Sequence, residues 1–75
     1  MPDQVFEVVK ATMDPLLHSD VAIDTRRDDV PGWDSLRHVE VVFALEDHFN
    51  IEFDADEIPK IDSVRAIVDL IQAKQ

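Results

Sequence analysis

The 75-residue chain contains no cysteine, only one glycine, and few basic residues, with 7 lysines and arginines against 17 aspartates and glutamates. Without cysteine it can form no disulfide, and it offers neither a thiol nucleophile nor a cysteine-based zinc site. Its net charge of −10 would repel nucleic-acid phosphates and an anionic membrane leaflet, so neither is expected as a partner. A length of 75 residues suits one domain with a modest core, and we predict a single domain over 1–75.

Long apolar runs are also absent from the sequence. No stretch approaches the ~18 apolar residues that a membrane span requires, so no membrane insertion is expected. Residues 1–4 lack the basic start and the apolar run of a secretion signal, and we therefore expect a cytoplasmic protein. The hydrophobic content of 45% is nevertheless ordinary for a folded domain and too high for a disordered acidic tail.

Three segments carry apolar residues at helical spacing, and none shows the alternation of a β-strand. The predicted elements are a helix from about Asp3 to Met13, a long loop over 18–33, a helix from about 34 to 50, a short helical turn near 55–58 and a helix from about 62 to 73. Pro15 is predicted to end the first helix, and Asp62 is predicted to cap the last one. The sequence therefore predicts an all-α, four-helix bundle with three main helices, one short helix and a long loop between the first two.

The second predicted helix carries apolar residues on two opposite faces. The face expected in the core consists of His38, Val41, Val42, Leu45 and Phe49. The opposite face consists of Leu36, Val39 and Phe43, with Glu40, Glu46 and Asp47 around it. Because so small a bundle cannot bury a helix on all sides, either the short helical turn covers this second face or it is exposed. An exposed apolar stripe with an acidic rim is typical of a docking surface for a basic partner.

The segment Gly32–Leu36, Gly-Trp-Asp-Ser-Leu, lies where the long loop meets this helix. It resembles the prosthetic-group site of acyl carrier proteins, whose central motif is Asp-Ser-Leu at the start of the second helix of an acidic four-helix bundle. The resemblance continues through Val39–Phe53, in which Val-Glu and Ala-Leu-Glu stand at the positions usual for the family, and through the Ser-Val pair within Ile61–Val64. It covers almost the whole chain and is weakest before Val30.

This resemblance implies that Ser35 is a modified residue. A phosphopantetheinyl transferase would join the 4'-phosphopantetheine of coenzyme A to the Ser35 hydroxyl through a phosphodiester, and the thiol of that arm would carry an acyl group as a thioester. The protein would then be a carrier and not an enzyme. A helix N-terminus suits this modification because its dipole and free N–H groups favour a phosphate. Without the resemblance, Ser35 would be interpreted as a plain N-cap.

The resemblance also implies a partner-docking surface around the start of the second helix. Its positions in this sequence are Asp34, Leu36, Arg37, Val39, Glu40, Phe43, Glu46 and Asp47. The implied partners are the transferase and acyl-transferring, condensing or ligase enzymes with basic docking patches, toward which an acidic carrier is steered. Asp34 is also suited to help hold the Mg²⁺ of the transferase. The chain itself is expected to bind no metal and to be a monomer.

Three residues near Ser35 depart from the usual pattern of the family. Arg37 stands where carriers of fatty-acid synthesis usually have an acidic residue, His38 where a small or β-branched residue is common, and Trp33 where many have alanine, leucine or methionine. These departures indicate a specialised freestanding acyl carrier of fatty-acid, polyketide or related secondary biosynthesis. Trp33 is expected to be a packing anchor. His38 has the spacing of a Ser–His nucleophilic pair with Ser35, but the domain is too small to build a substrate pocket, so a structural histidine is expected.

Two alternative functions are also compatible with the sequence. The first is an aminoacyl, peptidyl or D-alanyl carrier, which shares the attachment chemistry and differs in its cargo. The second is an acidic helical adaptor that docks to a partner through Leu36, Val39 and Phe43 and has no prosthetic group.

Overall fold

The three segments with helical apolar spacing form three α-helices in the computed structural model, which describes residues 2–75 and the side chains from residue 4 onward. The helices are α1 (Pro2–Leu17), α2 (Ser35–Phe49) and α3 (Val64–Lys74), with single 3₁₀ turns at Arg27–Asp29 and Ile58–Lys60. α1 packs against both α2 and α3. The predicted all-α class and the three main helices are confirmed. The short helix predicted near 55–58 is instead a single 3₁₀ turn shifted to Ile58–Lys60, with Pro59 inside it, called the 58–60 turn below.

The prediction that Pro15 ends the first helix is wrong, because α1 continues to Leu17 with Pro15 inside it. Proline has no N–H, so position 15 lacks the helical hydrogen bond to the carbonyl four residues earlier, and only two residues of α1 follow it. The extra residues place Leu17 in the core, where it is buried. The helix then stops at His18, whose φ of 52° is left-handed, and the N–H of Ser19 donates to the carbonyl of Asp14 at 3.2 Å. This is a Schellman-type helix end.

The boundaries of α2 agree with the prediction. Asp34 is the N-cap, and its carboxylate accepts the N–H of Arg37 at 2.9 Å. At the other end Asn50 adopts a left-handed φ of 55°, and the N–H of Ile51 donates to the carbonyl of Glu46 at 3.1 Å. Asparagine tolerates this conformation better than most residues, so it is a suitable stop for the helix.

The N-cap of α3 is Ser63. The prediction that Asp62 caps this helix is therefore wrong. The Ser63 hydroxyl accepts the N–H of Ala66 at 3.1 Å. Asp62 is occupied elsewhere, because its backbone carbonyl accepts the N–H of Arg27 at 2.8 Å and its carboxylate lies 3.4 Å from the Arg26 guanidinium. A tertiary contact of the long loop therefore decides which of two good capping residues begins the helix.

The long loop between α1 and α2 is attached to the bundle along its length. Val21, Val30 and Trp33 are its buried anchors. Near its middle, an isolated antiparallel bridge pairs Arg26 with Ser63 at the start of α3. The loop therefore crosses the bundle as an ordered segment and delivers residues 32–35 to the start of α2.

The core lies between the apolar stripes of the three helices and these loop anchors. Its fully buried members include Val9 and Met13 of α1, Val41 and Leu45 of α2, and Ile67 and Ile71 of α3. No helix in the described part of the chain has the length and apolar character needed to cross a membrane.

Candidate functional site

Ser35 is the first residue of α2, and its side chain is exposed. The interpretation of Ser35 as a plain N-cap is wrong, because Asp34 fills that role with its own carboxylate. The Ser35 hydroxyl therefore stands beside the first turn of a 15-residue helix without serving as its cap. The backbone N–H groups at such a helix start favour a phosphate, so the surroundings of this hydroxyl fit a phosphodiester.

The residues just before Ser35, Gly32–Asp34, are held tightly against the rest of the protein. A Cβ atom at Gly32 would lie 2.9 Å from the carbonyl oxygen of Leu17, so the backbone at position 32 passes directly over the end of α1. The N–H of Trp33 donates to the carbonyl of Val30 at 3.0 Å. The guanidinium of Arg27 donates to the carbonyl of Trp33 at 3.3 Å. We call the segment Gly32–Ser35 the junction.

The Trp33 side chain is buried and donates its indole N–H to Nδ1 of His38 at 2.9 Å. The other ring nitrogen of His38, Nε2, lies 2.7 Å from the carbonyl oxygen of Ile58. Because an indole N–H can only donate and a carbonyl can only accept, His38 is neutral here and carries its proton on Nε2. Both ring nitrogens are thus used away from Ser35, which confirms the structural histidine and the packing role of Trp33.

Sequence patterns do not predict the hydrogen bond between Trp33 and His38. His38 was placed on the core face of α2 by its helical spacing, but Trp33 lies outside the helix, where helical periodicity says nothing. One feature of the sequence could have indicated it. A tryptophan and a histidine that are both expected in the core each need a hydrogen-bond partner there, and each can serve the other.

The second apolar face of α2 is exposed, which agrees with the prediction of an exposed face and not with the alternative that the short helical turn covers it. Leu36, Val39 and Phe43 expose 68%, 41% and 61% of their surface. The 58–60 turn therefore does not cover them. Opposite them, His38 and the aliphatic residues of the core stripe are buried, so α2 has one face in the core and an apolar face in solvent. We call Leu36, Val39 and Phe43 the exposed triad.

The charged residues around the exposed triad differ in how far they are engaged within the chain. Arg37 and Glu40 form an ion pair, with Nη1 of Arg37 2.9 Å from Oε1 of Glu40. Glu46 accepts the backbone N–H of Phe53 at 2.7 Å. Asp34 serves as the N-cap of α2, and Asp47 is exposed. Of the predicted docking residues on α2, the apolar ones and Asp47 are exposed, whereas Arg37, Glu40 and Glu46 are half-buried and engaged within the chain.

Elsewhere, a hydrogen-bonded ion pair joins α3 to the chain before the 58–60 turn. Nζ of Lys74 lies 2.8 Å from Oε1 of Glu57. This hydrogen bond is the main cause that holds the pKa of the Glu57 carboxyl below its ordinary value, and the N–H of Asp54 adds to the effect. The same contact raises the pKa of Lys74. Within the described residues no group of three or more His, Asp and Glu side chains is arranged to hold a metal ion.

The sequence is similar to a known protein family and to individual members of it. The model of the family described as "Phosphopantetheine attachment site" matches residues 18–71. "Acyl carrier protein 3" of Ralstonia nicotianae is 37% identical over 71 residues, which cover 95% of this chain and 80% of that protein. "Acyl carrier protein" of Buchnera aphidicola is 47% identical over 43 residues, covering 57% of this chain and 54% of that protein.

A solved structure is also similar. The solution NMR structure of the holo acyl carrier protein from Geobacter metallireducens superposes with a TM-score of 0.83 and is 26% identical in sequence. The match covers 99% of this chain and 86% of that one.

Proposed function

The chain belongs to the acyl carrier protein family, whose cofactor is a covalent 4'-phosphopantetheine, and from this membership we propose that Ser35 is the point of attachment. The observation that supports the proposal most strongly is that Asp34 and Ser35 have different roles at the start of α2. Asp34 caps α2 with its carboxylate, which leaves the exposed hydroxyl of Ser35 free to become a phosphate ester.

The attachment reaction requires little of the chain itself beyond correct presentation. The Ser35 oxygen would bond to the phosphorus that carries pantetheine as the phosphoanhydride bond of coenzyme A breaks and adenosine 3',5'-bisphosphate leaves. The hydroxyl proton would pass to a base of the transferase. The positive end of the α2 dipole favours the phosphodiester that results. Once attached, the arm supplies a terminal thiol that carries an acyl group as a thioester.

Acyl carrier proteins present substrates to biosynthetic enzymes and do not catalyse their reactions. For this chain we propose that the partners dock on the exposed triad and the charged residues around it. A partner with an apolar contact and a basic rim would match this surface, and the charge of −10 would steer the encounter. A phosphopantetheinyl transferase and acyl-transferring, condensing or ligase enzymes are the proposed partners.

We further propose a specialised carrier of fatty-acid, polyketide or related secondary biosynthesis. Arg37 supports this, because its ion pair with Glu40 removes negative charge from the docking side of α2 close to Ser35. A partner adapted to a fully acidic helix would meet a different charge pattern here. The protein is proposed to act as a cytoplasmic monomer comprising one domain over 1–75.

Intact mass spectrometry after incubation with coenzyme A and a transferase of broad specificity tests the attachment. The wild-type chain should gain the mass of one phosphopantetheine, and Ser35→Ala should gain none. Ser19→Ala is the matched control, because it removes a serine hydroxyl from the long loop and should leave the gain intact. An unmodified wild type in the presence of an active transferase, or a modified Ser35→Ala variant, would contradict the proposal.

A further inference from the structure

The core contains one polar side chain that the carrier function does not use. His38 exposes 4% of its surface and Trp33 exposes 3%, and both lie among apolar residues. A buried imidazole is costly unless its nitrogens find partners, whereas an aliphatic residue at position 38 would need none. Every buried side-chain nitrogen and oxygen in the described part of the chain has such a partner. The pair is therefore a satisfied polar connection inside an otherwise apolar core.

This connection joins the junction to a distant part of the chain. The His38 side chain contacts the junction through the indole of Trp33 at 2.9 Å. Its backbone N–H also donates to the carbonyl of Asp34 at 2.8 Å, as the first helical hydrogen bond of α2. Its Nε2 reaches the carbonyl of Ile58 in the 58–60 turn at 2.7 Å. The two rings also stack, with centroids 6.0 Å apart and planes inclined by 26°.

We propose that His38 is a positioning residue, which fixes the junction against the 58–60 turn so that Ser35 is presented to the transferase in one preformed geometry. The inference rests on the proposed attachment at Ser35. The junction ends a long loop, and ordering such a segment only on docking would cost conformational entropy. The hydrogen bonds from Trp33 through His38 to Ile58 order the junction when the protein folds, so this entropy is not lost again when a partner binds.

The single tautomer of His38 gives the proposal a spectroscopic signature. The imidazole ¹⁵N spectrum of the protein without its arm should show Nδ1 unprotonated and Nε2 protonated, and the indole proton of Trp33 should exchange slowly with solvent. A proton on Nδ1, or rapid exchange of the indole proton, would overturn the proposal before any partner is tested.

Loading kinetics with the transferase and coenzyme A then separate positioning from simple stability. His38→Leu removes both hydrogen bonds, Trp33→Phe removes only the indole donor, and His38→Gln keeps one acceptor and one donor. His48→Leu is the matched control, because His48 is an exposed histidine on the same helix. Each variant is first shown to be folded by circular dichroism, and Trp33→Phe, which keeps an aromatic ring at this position, serves if His38→Leu does not fold.

The expected result is a rise in the KM for the carrier of roughly tenfold in His38→Leu and about threefold in Trp33→Phe, given the usual worth of one or two hydrogen bonds. The kcat should not change, because the groups that transfer the phosphate belong to the transferase. His38→Gln should recover most of the loss, and His48→Leu should match the wild type. A folded His38→Leu with the wild-type KM overturns this inference alone. A wild-type chain that accepts no arm overturns the proposed function and this inference together.

Discussion

Gly32 lies so close to the end of α1 that a Cβ atom at this position would be 2.9 Å from the carbonyl oxygen of Leu17. The single glycine of the chain is thus needed for the approach of two backbone segments, and it does not occupy the left-handed region. The contact places the junction directly over the end of α1, which the sequence alone had predicted to stop before Leu17.

Gly32→Ala is expected to destabilise the fold, because backbone atoms and not a flexible side chain would have to move. A cost of about 1–3 kcal/mol in the free energy of unfolding is typical for such overpacking. Urea denaturation measures it, with Pro31→Ala as the control, since the neighbouring Pro31 is exposed. A Gly32→Ala midpoint equal to that of the wild type would show that the junction can shift freely.

Phe43→Ala should leave the stability of the fold within about 0.5 kcal/mol, because the side chain is exposed and makes little contribution to the core. The same change should weaken the complex with the transferase by roughly 1–2 kcal/mol, as expected for an aromatic residue central to an interface. Isothermal titration calorimetry measures the affinity. Gln72→Ala, an exposed position on α3, should affect neither quantity, and equal affinities for the two variants would exclude the exposed triad as the docking surface.

Arg37→Gln should accelerate association with a basic partner, because it releases Glu40 from its ion pair and makes the proposed docking side of α2 more negative. The association rate should rise several-fold at low salt, and the gain should shrink as salt screens the charges. Arg65→Gln makes the same charge change on the exposed side of α3. Equal effects of the two variants would mean that only the net charge matters and not its position.

Glu57 should contribute to stability in a manner that depends on pH. Its pKa in the folded chain is held below its ordinary value of 4.5, mainly by the hydrogen bond from Lys74. The folded state therefore binds this proton less readily than the unfolded state, so the contribution is present above pH 4.5 and is lost as the pH falls through the lowered value. The pKa of Lys74 is raised above 10.5, so the contribution of Lys74 to stability is lost only in strong alkali.

The Glu57→Gln variant tests this dependence through urea midpoints measured from neutral pH downward. It should be less stable than the wild type at neutral pH, and the difference should narrow in acid. Glu7→Gln, at an exposed position on α1, provides the same loss of charge without the Lys74 contact. A stability difference that stays constant through acid pH would show that the pair does not act through its ionisation.

Helix existence and the two faces of α2 were predictable from the sequence because both follow from local spacing. The 3.6-residue repeat places His38 and Leu45 on one face of α2 and Phe43 on the opposite face. That Phe43 is exposed depends on the 58–60 turn, which does not cover it. The N-cap of α3 was predicted wrongly because a contact with a distant part of the backbone determines it. Asp62 and Ser63 are both good caps, and only the contact of Asp62 with the long loop selects Ser63.

The candidate site was predictable in part for the same reason. The Asp-Ser-Leu motif identified Ser35 through resemblance, but the choice of Asp34 as the cap depends on backbone geometry that both residues could satisfy. The link from Trp33 through His38 to Ile58 joins three segments, and no single-segment pattern contains it.

The bridge between Arg26 and Ser63 has a consequence for how the protein opens. Its two hydrogen bonds, from the N–H of Arg27 to Asp62 and from the N–H of Val64 to Thr25, join segments far apart along the chain, and closing so long a loop is entropically costly. We expect these two amide protons to exchange with solvent together, in one opening that frees the loop before the helices unravel. A single exchange rate shared by both protons, faster than that of Leu45 in the middle of α2, would make the bridge a reporter of that opening.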